Sequence, residues 1–273
     1  MTQRPSTETE LRAHIANTPV SGSPTEMRAG FARLTGPAPE AAFEEVTRGG
    51  IPCTAIGTGP ELIWFHGGGY VFGSPGTHAA LALGLAQRGL RVVMPDYRLA
   101  PEHPWPAMLH DARAVLDGSP ACCVGGDSAG GHLALNLALA GSDRIKGLAL
   151  VSPNTDHSGL STTRGRDGDA MNDDATDKAL SRMAMPETAR RGPEASPLLA
   201  RLEGLPPVHL EAAGAEILLD DTLLLARKAA LSNVDTRLHV TPGLFHMFPL
   251  WPDALPEAAK ALDRVARFVR DLG

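Results

Sequence analysis

Nine residues, Val124-Gly125-Gly126-Asp127-Ser128-Ala129-Gly130-Gly131-His132, constrain the fold of this chain more than any other stretch. An apolar run, Ala121 to Val124, stops in glycines and a serine, and a helix-forming run, His132 to Ala140, begins at once. A serine on so sharp a strand-to-helix turn is pushed out of the backbone. The residues two before and two after it must be tiny, because strand and helix converge there. Gly126 and Gly130 meet that need, giving G-x-S-x-G, the pattern of a nucleophile elbow. The plainer alternative is a Gly-rich turn with Ser128 as a helix N-cap. A phosphate loop fits worse: position 132 is histidine where lysine is needed, and no G-x-G-x-x-G register matches.

Around this turn the pattern alternates. Phe43 to Arg48 and Ile51 to Gly57 read as a hairpin joined at Gly49-Gly50, followed by a strand, Glu61 to His66, fully apolar at Leu62-Ile63-Trp64-Phe65. Then come a helix near Thr77 to Arg88, a strand Arg91 to Met94, a helix Ala107 to Leu116, a strand Ala121 to Gly125 and a helix 129–140. The run closes with strand Gly147 to Val151, strand Val208 to Ala212, helix Asp221 to Leu231, strand Thr236 to Thr241 and helix Pro256 to Leu272. Short apolar strands separated by amphipathic helices predict an α/β fold with right-handed crossovers. They imply a mostly parallel sheet, eight strands in all, with helices on both faces.

Two segments break the alternation. Residues 1–42 carry a weak helical stripe (Leu11, Ile15, Met27, Phe31, Leu34) interrupted by Pro19, Pro24, Pro37 and Pro39, and read as an N-terminal arm, either disordered or part of a lid. Residues 154–197 are rich in Asp, Gly, Ser, Thr and Arg, with one helix expected at Asp177 to Met185. Forty residues between two strands are long for a connection, and their place after the strand that follows the elbow suggests a small cap insertion rather than a surface loop. The core is then 43–153 and 198–273.

The bulk numbers exclude some classes of function. With 273 residues and 43% hydrophobic content the chain can bury a large single core. A net charge of −6 argues against a nucleic-acid partner. No run approaches the ~18 apolar residues of a membrane span, and Met1 to Val20 lacks the apolar core of a signal peptide. Cys53, Cys122 and Cys123 form an odd set with neither zinc spacing nor a good disulfide pair, so they read as reduced thiols of a cytoplasmic protein. No metal site is expected.

A serine hydroxyl needs a base, an orienting acid and an anion-stabilising pocket to act as a nucleophile. On this architecture the chain order should be serine, acid, histidine, each just past the carboxyl end of a strand. Of the late histidines, His209 and His239 fall inside strands, while His246 follows the last strand in a glycine turn with an apolar collar, Leu244, Phe245, Met247 and Phe248. For the acid, Asp220 and Asp221 have a ready role in capping the helix that begins there. Glu216 has none, which favours it, with Asp220 the alternative. The anion pocket calls for the N–H of Ala129 and for backbone from His66-Gly67-Gly68-Gly69-Tyr70, where no Cβ blocks a ligand.

These stretches, with Asp96-Tyr97-Arg98-Leu99-Ala100-Pro101-Glu102 and Gly243-x-x-His246, resemble the bacterial hormone-sensitive-lipase family of α/β-hydrolases from roughly Glu61 to the end. The resemblance implies the α/β-hydrolase fold and a carboxylesterase acting on short acyl chains without a cofactor. It implies that Gly68, Gly69 and Ala129 donate to the oxyanion, and that the Tyr97–Glu102 stretch and Asp111 are scaffold for the elbow. It also implies a homodimer through the last strand. Many members carry aspartate followed by proline where this chain has Glu216-Ile217, so the version here is closer to a subgroup resembling acetyl-hydrolases and monoterpene-lactone hydrolases. Lactone or amide hydrolysis with the same triad, and a non-catalytic ligand receptor on the same fold, are the alternatives. Phe72, Leu218 and Phe248 flank the motif residues and are candidate walls of a substrate pocket.

Overall fold

The computed structural model describes residues 4–273. Its centre is one eight-stranded sheet in the order β1-β2-β4-β3-β5-β6-β7-β8. The strands are β1 (Glu44–Arg48), β2 (Ile51–Ile56), β3 (Glu61–Phe65), β4 (Arg91–Pro95), β5 (Cys122–Asp127), β6 (Ile145–Val151), β7 (Val208–Ala213) and β8 (Thr236–Thr241). Strand β2 runs antiparallel to β1 and β4, and every later pairing is parallel. The sheet is therefore mixed and mostly parallel, and the carboxyl ends of β3, β5, β7 and β8 open on one edge.

Two-residue periodicity sends alternate strand residues to opposite faces. Ile63, Phe65, Val93, Val124, Leu148 and Leu150 join one core with α4 (Ala107–Asp117), α5 (Ala129–Leu139) and α7 (Leu219–Leu231). Leu62, Trp64, Val92, Met94, Cys123, Ala149 and Val151 join the other, with α3 (Ala79–Ala86) and α8 (Pro256–Leu272). Helix α8 follows the amphipathic rule: Ala258, Ala261, Leu262, Val265, Ala266 and Val269 are buried at i, i+3, i+4, i+7 spacing.

The arm is ordered. Helix α1 (Glu8–Asn17) starts at a Thr7 cap, and α2 (Pro24–Thr35) starts at a Ser23–Glu26 capping box. Pro24, which looked like a breaker, sits in the first turn of α2, where its missing N–H costs nothing. Leu11, Ile15, Phe31 and Leu34 are buried. The Arg28 guanidinium fastens α2 to the core through the carbonyls of Val71 and Ala100 (2.9 Å each) and the carboxylate of Glu102 (2.6 Å). The first three arm residues lie outside the described part.

The insertion is held by charge as well as by apolar packing, for Leu180, Ala184, Met185 and Ala195 join the first core. Helix α6 (Asp174–Ala184) begins three residues before the expected start, because the Asp173 carboxylate accepts the N–H of Thr176 and caps it. Arg164, nearly buried, bonds Asp177 of α6 at 2.6 Å, Asp221 of α7 at 2.6 Å and Asn154 at 2.7 Å. Asp221 also accepts the N–H groups of Thr155 and Asp156 at 2.9 and 2.8 Å. Asp220 accepts the backbone N–H and the hydroxyl O–H of Thr162. Neither aspartate caps α7, against the sequence expectation: the cap position is Leu218, whose own side chain makes no capping bond. Both carboxylates are turned instead toward the insertion, whose free N–H groups and guanidinium compete for them.

Candidate active site

Strand β5 delivers Ser128 at its end, in a backbone conformation of φ 51° and ψ −119°. Positive φ is rare for a residue with a Cβ and stores strain. The strain is sustained because β5 and α5 close on each other: a Cβ at Gly126 would lie 2.5 Å from the backbone of Gly130, and one at Gly130 would lie 1.9 Å from the Phe65 carbonyl oxygen. The Ser128 N–H donates to Val151 at 3.0 Å, and its carbonyl accepts the N–H of His132, leaving the hydroxyl free of capping duty.

His246 comes from the loop after β8 and Glu216 from the loop after β7. His246 Nε2 stands 2.9 Å from Ser128 Oγ, and its Nδ1 stands 2.8 Å from Glu216 Oε2. The other oxygen of Glu216 accepts the N–H of Ala213 at 2.9 Å, which fixes the carboxylate plane. All three side chains are nearly or wholly buried. An ionised Glu216 only accepts, so Nδ1 carries the proton and the Nε2 lone pair faces the serine. Burial alone would lower the imidazole pKa. The hydrogen bond and charge of Glu216, with the charges of Asp169 and Asp127, outweigh it and raise the value above 6.5. The alternative acid, Asp220, is engaged with Thr162.

The glycine loop after β3 lies beside the serine. Asp127, one residue before the nucleophile and fully buried, accepts the Gly67 N–H at 3.0 Å, the Trp64 indole at 2.9 Å and bonds His78 Nε2 at 3.0 Å. Burial would raise its pKa, but the His78 charge and these donors hold it below the ordinary carboxylate value. The Tyr97 hydroxyl donates to the His66 carbonyl at 2.6 Å, and Arg98 grips Asp111 at 2.7 to 3.0 Å, so the Tyr97–Glu102 stretch and Asp111 buttress this loop. Gly68 and Gly69 have φ of 121° and 57°. Among the described residues, the N–H groups of Gly68, Gly69 and Ala129 donate to no backbone carbonyl outside their own elements and to no side chain. An anion beside Ser128 meets unpaired donors there.

A cavity of about 350 Å³ opens over Ser128 and His246. Its walls come from the arm (Ile15, Phe31, Leu34), the insertion (Asp169, Met171, Leu180) and Gly68, Gly69 and Phe72 of the glycine loop. Leu218 and Phe248 do not line it and are corrected as pocket walls. Both are fully buried, because the start of α7 and the short helical turn Phe248–Leu250 direct them into the core. Proximity in sequence to Glu216 and His246 misled on this point. The sequence reading gave no role of their own to Asp127, quoted only within the elbow, or to Asp169. For Asp127 the signal was there, an acid between two glycines at the end of an apolar strand. Asp169 stands in a polar segment without period, and nothing local marked it.

The profile of the alpha/beta hydrolase fold family matches residues 62–250. An esterase of Acinetobacter venetianus is 32% identical over 228 residues, covering 78% of this chain and 75% of its own. The crystal structure of an esterase from the bacterial hormone-sensitive lipase family superposes with a TM-score of 0.91 at 29% identity, covering 100% of this chain and 99% of the other. EstE5, in a crystal soaked with p-nitrophenyl butyrate, superposes with a TM-score of 0.86 at 29% identity, over 97% of both chains. By sequence profile, by relatives and by fold, the chain belongs to the α/β-hydrolase family, in its hormone-sensitive-lipase branch of carboxylesterases.

Proposed function

We propose that the protein hydrolyses short-chain carboxylic esters through an acyl-enzyme on Ser128, with His246 as general base and acid and Glu216 as the orienting carboxylate. The reading is carried by one observation: a hydroxyl, an imidazole and a carboxylate in hydrogen-bonded row, 2.9 and 2.8 Å apart, at the floor of a cavity. His246 takes the Ser128 proton as Oγ attacks the ester carbonyl. The carbonyl oxygen becomes negative against the N–H groups of Gly68, Gly69 and Ala129, which need no reorganisation to receive it. The imidazolium, steadied by Glu216, returns its proton to the departing alkoxide. Water, deprotonated by the same ring, then releases the acid.

The arm and insertion act together as the lid, and Phe72 contributes to the substrate wall. The p-nitrophenyl butyrate of the EstE5 crystal and the modest cavity support small, neutral acyl groups. Replacing Ser128 by Ala removes hydrolysis of p-nitrophenyl acetate and butyrate while the thermal unfolding transition persists. An organophosphate adds its mass to Ser128 in the native protein. Undiminished turnover in the variant would end the assignment.

A homodimer is supported by β8, a sheet edge on which Leu238 is exposed, and by the exposed Leu231 at the end of α7. Sedimentation of the native protein and of Leu238→Lys tests it: a dimer that the lysine dissociates is the expected result. Among the described residues no helix is long and apolar enough to cross a membrane. The three cysteines are free and buried, which supports the cytoplasmic location.

A further inference from the structure

Ser128 is fixed by a strained turn between two packed elements, whereas Glu216 and His246 stand on two separate loops, the second with a left-handed residue, Met247, just after the histidine. Their alignment needs another source. The backbone ties the two loops at Gly214 N–H to the Thr241 carbonyl (2.8 Å) and at Ala215 N–H to that of Leu244 (2.9 Å). Both bonds stop short of the reacting residues. Beyond them the connection is made by a side chain from elsewhere in the chain. Asp169 Oδ2 accepts the N–H of Ile217, next to Glu216, at 3.1 Å. Asp169 Oδ1 accepts the N–H of His246 itself at 3.1 Å, and that of Met171 at the same distance.

We propose that Asp169 is a positioning residue of the insertion, whose carboxylate clasps the Glu216 loop to the His246 loop and so makes seating of the lid and alignment of the triad one event. The proposal rests on the roles given above to Ser128, His246 and Glu216. A carboxylate suits the task because it accepts several N–H groups at once, and charge-assisted bonds to backbone donors are strong. An asparagine presents one acceptor and turns an N–H₂ group toward the remaining donors. The segment that carries the clasp also lines the cavity at Asp169, Ala170, Met171 and Asn172, so whatever displaces it to admit substrate also loosens the two loops. Its neighbours reinforce the arrangement: the Thr163 hydroxyl donates to the Ile217 carbonyl at 2.7 Å and accepts the Asp220 N–H at 3.0 Å.

The charge of Asp169 has a second effect. Carboxylates face the imidazole from three elements: Glu216 from the loop after β7, Asp127 from the end of β5 with His78 paired behind it, and Asp169 from the insertion. Each favours the imidazolium, so removing Asp169 lowers the pKa of His246 as well as releasing its backbone.

The test is steady-state hydrolysis of p-nitrophenyl acetate across pH by the full chain, comparing the native protein with Asp169→Asn, Asp169→Ala and Asp167→Ala. Asp167 is exposed and stands off the cavity. Asp169→Ala is expected to lose roughly tenfold to hundredfold in kcat, the scale set by a misplacement of about 1 Å, with KM little changed. The acid limb of its kcat/KM profile moves to lower pH. Asp169→Asn loses less in kcat but moves the limb as far, and Asp167→Ala follows the native curve. A native kcat and an unmoved limb in folded Asp169→Asn overturn the proposal. So does a fall in thermal stability with kcat and limb unchanged. Organophosphate labelling of Ser128 in the native protein separates the two readings: without labelling the triad itself is in doubt, and with labelling only the clasp is at stake.

Discussion

The Asp127 carboxylate lies 3.0 Å from the backbone N–H of Gly67, so the residue before the proposed nucleophile holds the first glycine of the proposed oxyanion loop. Strands β3 and β5 are neighbours in the sheet, and this bond spans their carboxyl ends. It sets the distance between Ser128 and the N–H groups of Gly68 and Gly69. Asp127→Asn turns one accepting oxygen into a donor that faces the Gly67 N–H or the Trp64 indole. The expected cost is about 1 to 3 kcal/mol of stability for the unsatisfied buried group. With the loop displaced, kcat also falls; chemical denaturation and ester kinetics on the same preparation measure both.

Glu216 and Asp220 differ in what they touch, and their substitutions should differ accordingly. Glu216→Gln removes the charge against His246 Nδ1 and permits the wrong tautomer, with a loss of roughly 10³ to 10⁴ in kcat by analogy with other triads. Asp220→Asn disturbs exposed bonds to Thr162 and leaves the ring untouched, so kcat should change little. A larger loss at Asp220 would reverse the assignment of the acid.

The glycines of the loop are not equivalent. A Cβ on Gly68 would lie 2.2 Å from the Phe72 carbonyl oxygen, which belongs to the backbone and cannot yield. On Gly69 it would lie 2.6 Å from Leu180 Cδ1, the movable end of a side chain, and 2.8 Å from Leu180 Cβ, which Leu180→Ala retains. Gly68→Ala should therefore cost roughly 10² to 10³ in kcat, the scale of a lost oxyanion donor. Gly69→Ala should cost less, and the double variant with Leu180→Ala should recover part of that loss. Single-turnover kinetics on the four proteins separate these outcomes.

The pH profile follows from the imidazole. Because its pKa is raised above 6.5, His246 holds its proton more tightly than a free histidine, and the basic form is lost earlier as pH falls. The acid limb of kcat/KM should thus lie above pH 6.5 with a slope of one proton. Glu216→Gln removes the main upward influences and leaves burial opposed only by the charges of Asp169 and Asp127, so in the residual activity the limb moves down. An upward move would contradict the account.

Arg164 supplies the counter-charge for two buried carboxylates. Burial pushes the Asp221 carboxyl up to about 6 even with the guanidinium 2.6 Å away. Arg164→Ala leaves Asp177 and Asp221 without that partner, at a cost of about 3 to 5 kcal/mol. The same change frees the insertion from α7. Denaturant unfolding measures the first effect, and limited proteolysis within 154–197 reports the second.

The amino-acid order by itself determined the sheet and the turn. Ile63 and Trp64 go to opposite faces by the two-residue period of a strand, and Ala258 to Val269 line one side of α8 by the period of a helix. Gly126 and Gly130 bracket Ser128 because a converging strand and helix tolerate nothing larger. Such features depend on neighbours a few residues apart, so a linear reading captures them. The tertiary structure decided which carboxylate meets the imidazole, why Phe72 faces the cavity while Leu218 and Phe248 do not, and that Asp169 reaches both loops. Those outcomes depend on side-chain directions in irregular loops and on partners up to 77 residues apart. No periodic pattern encodes them: they follow from which buried donors are left unpaired once the elements have packed.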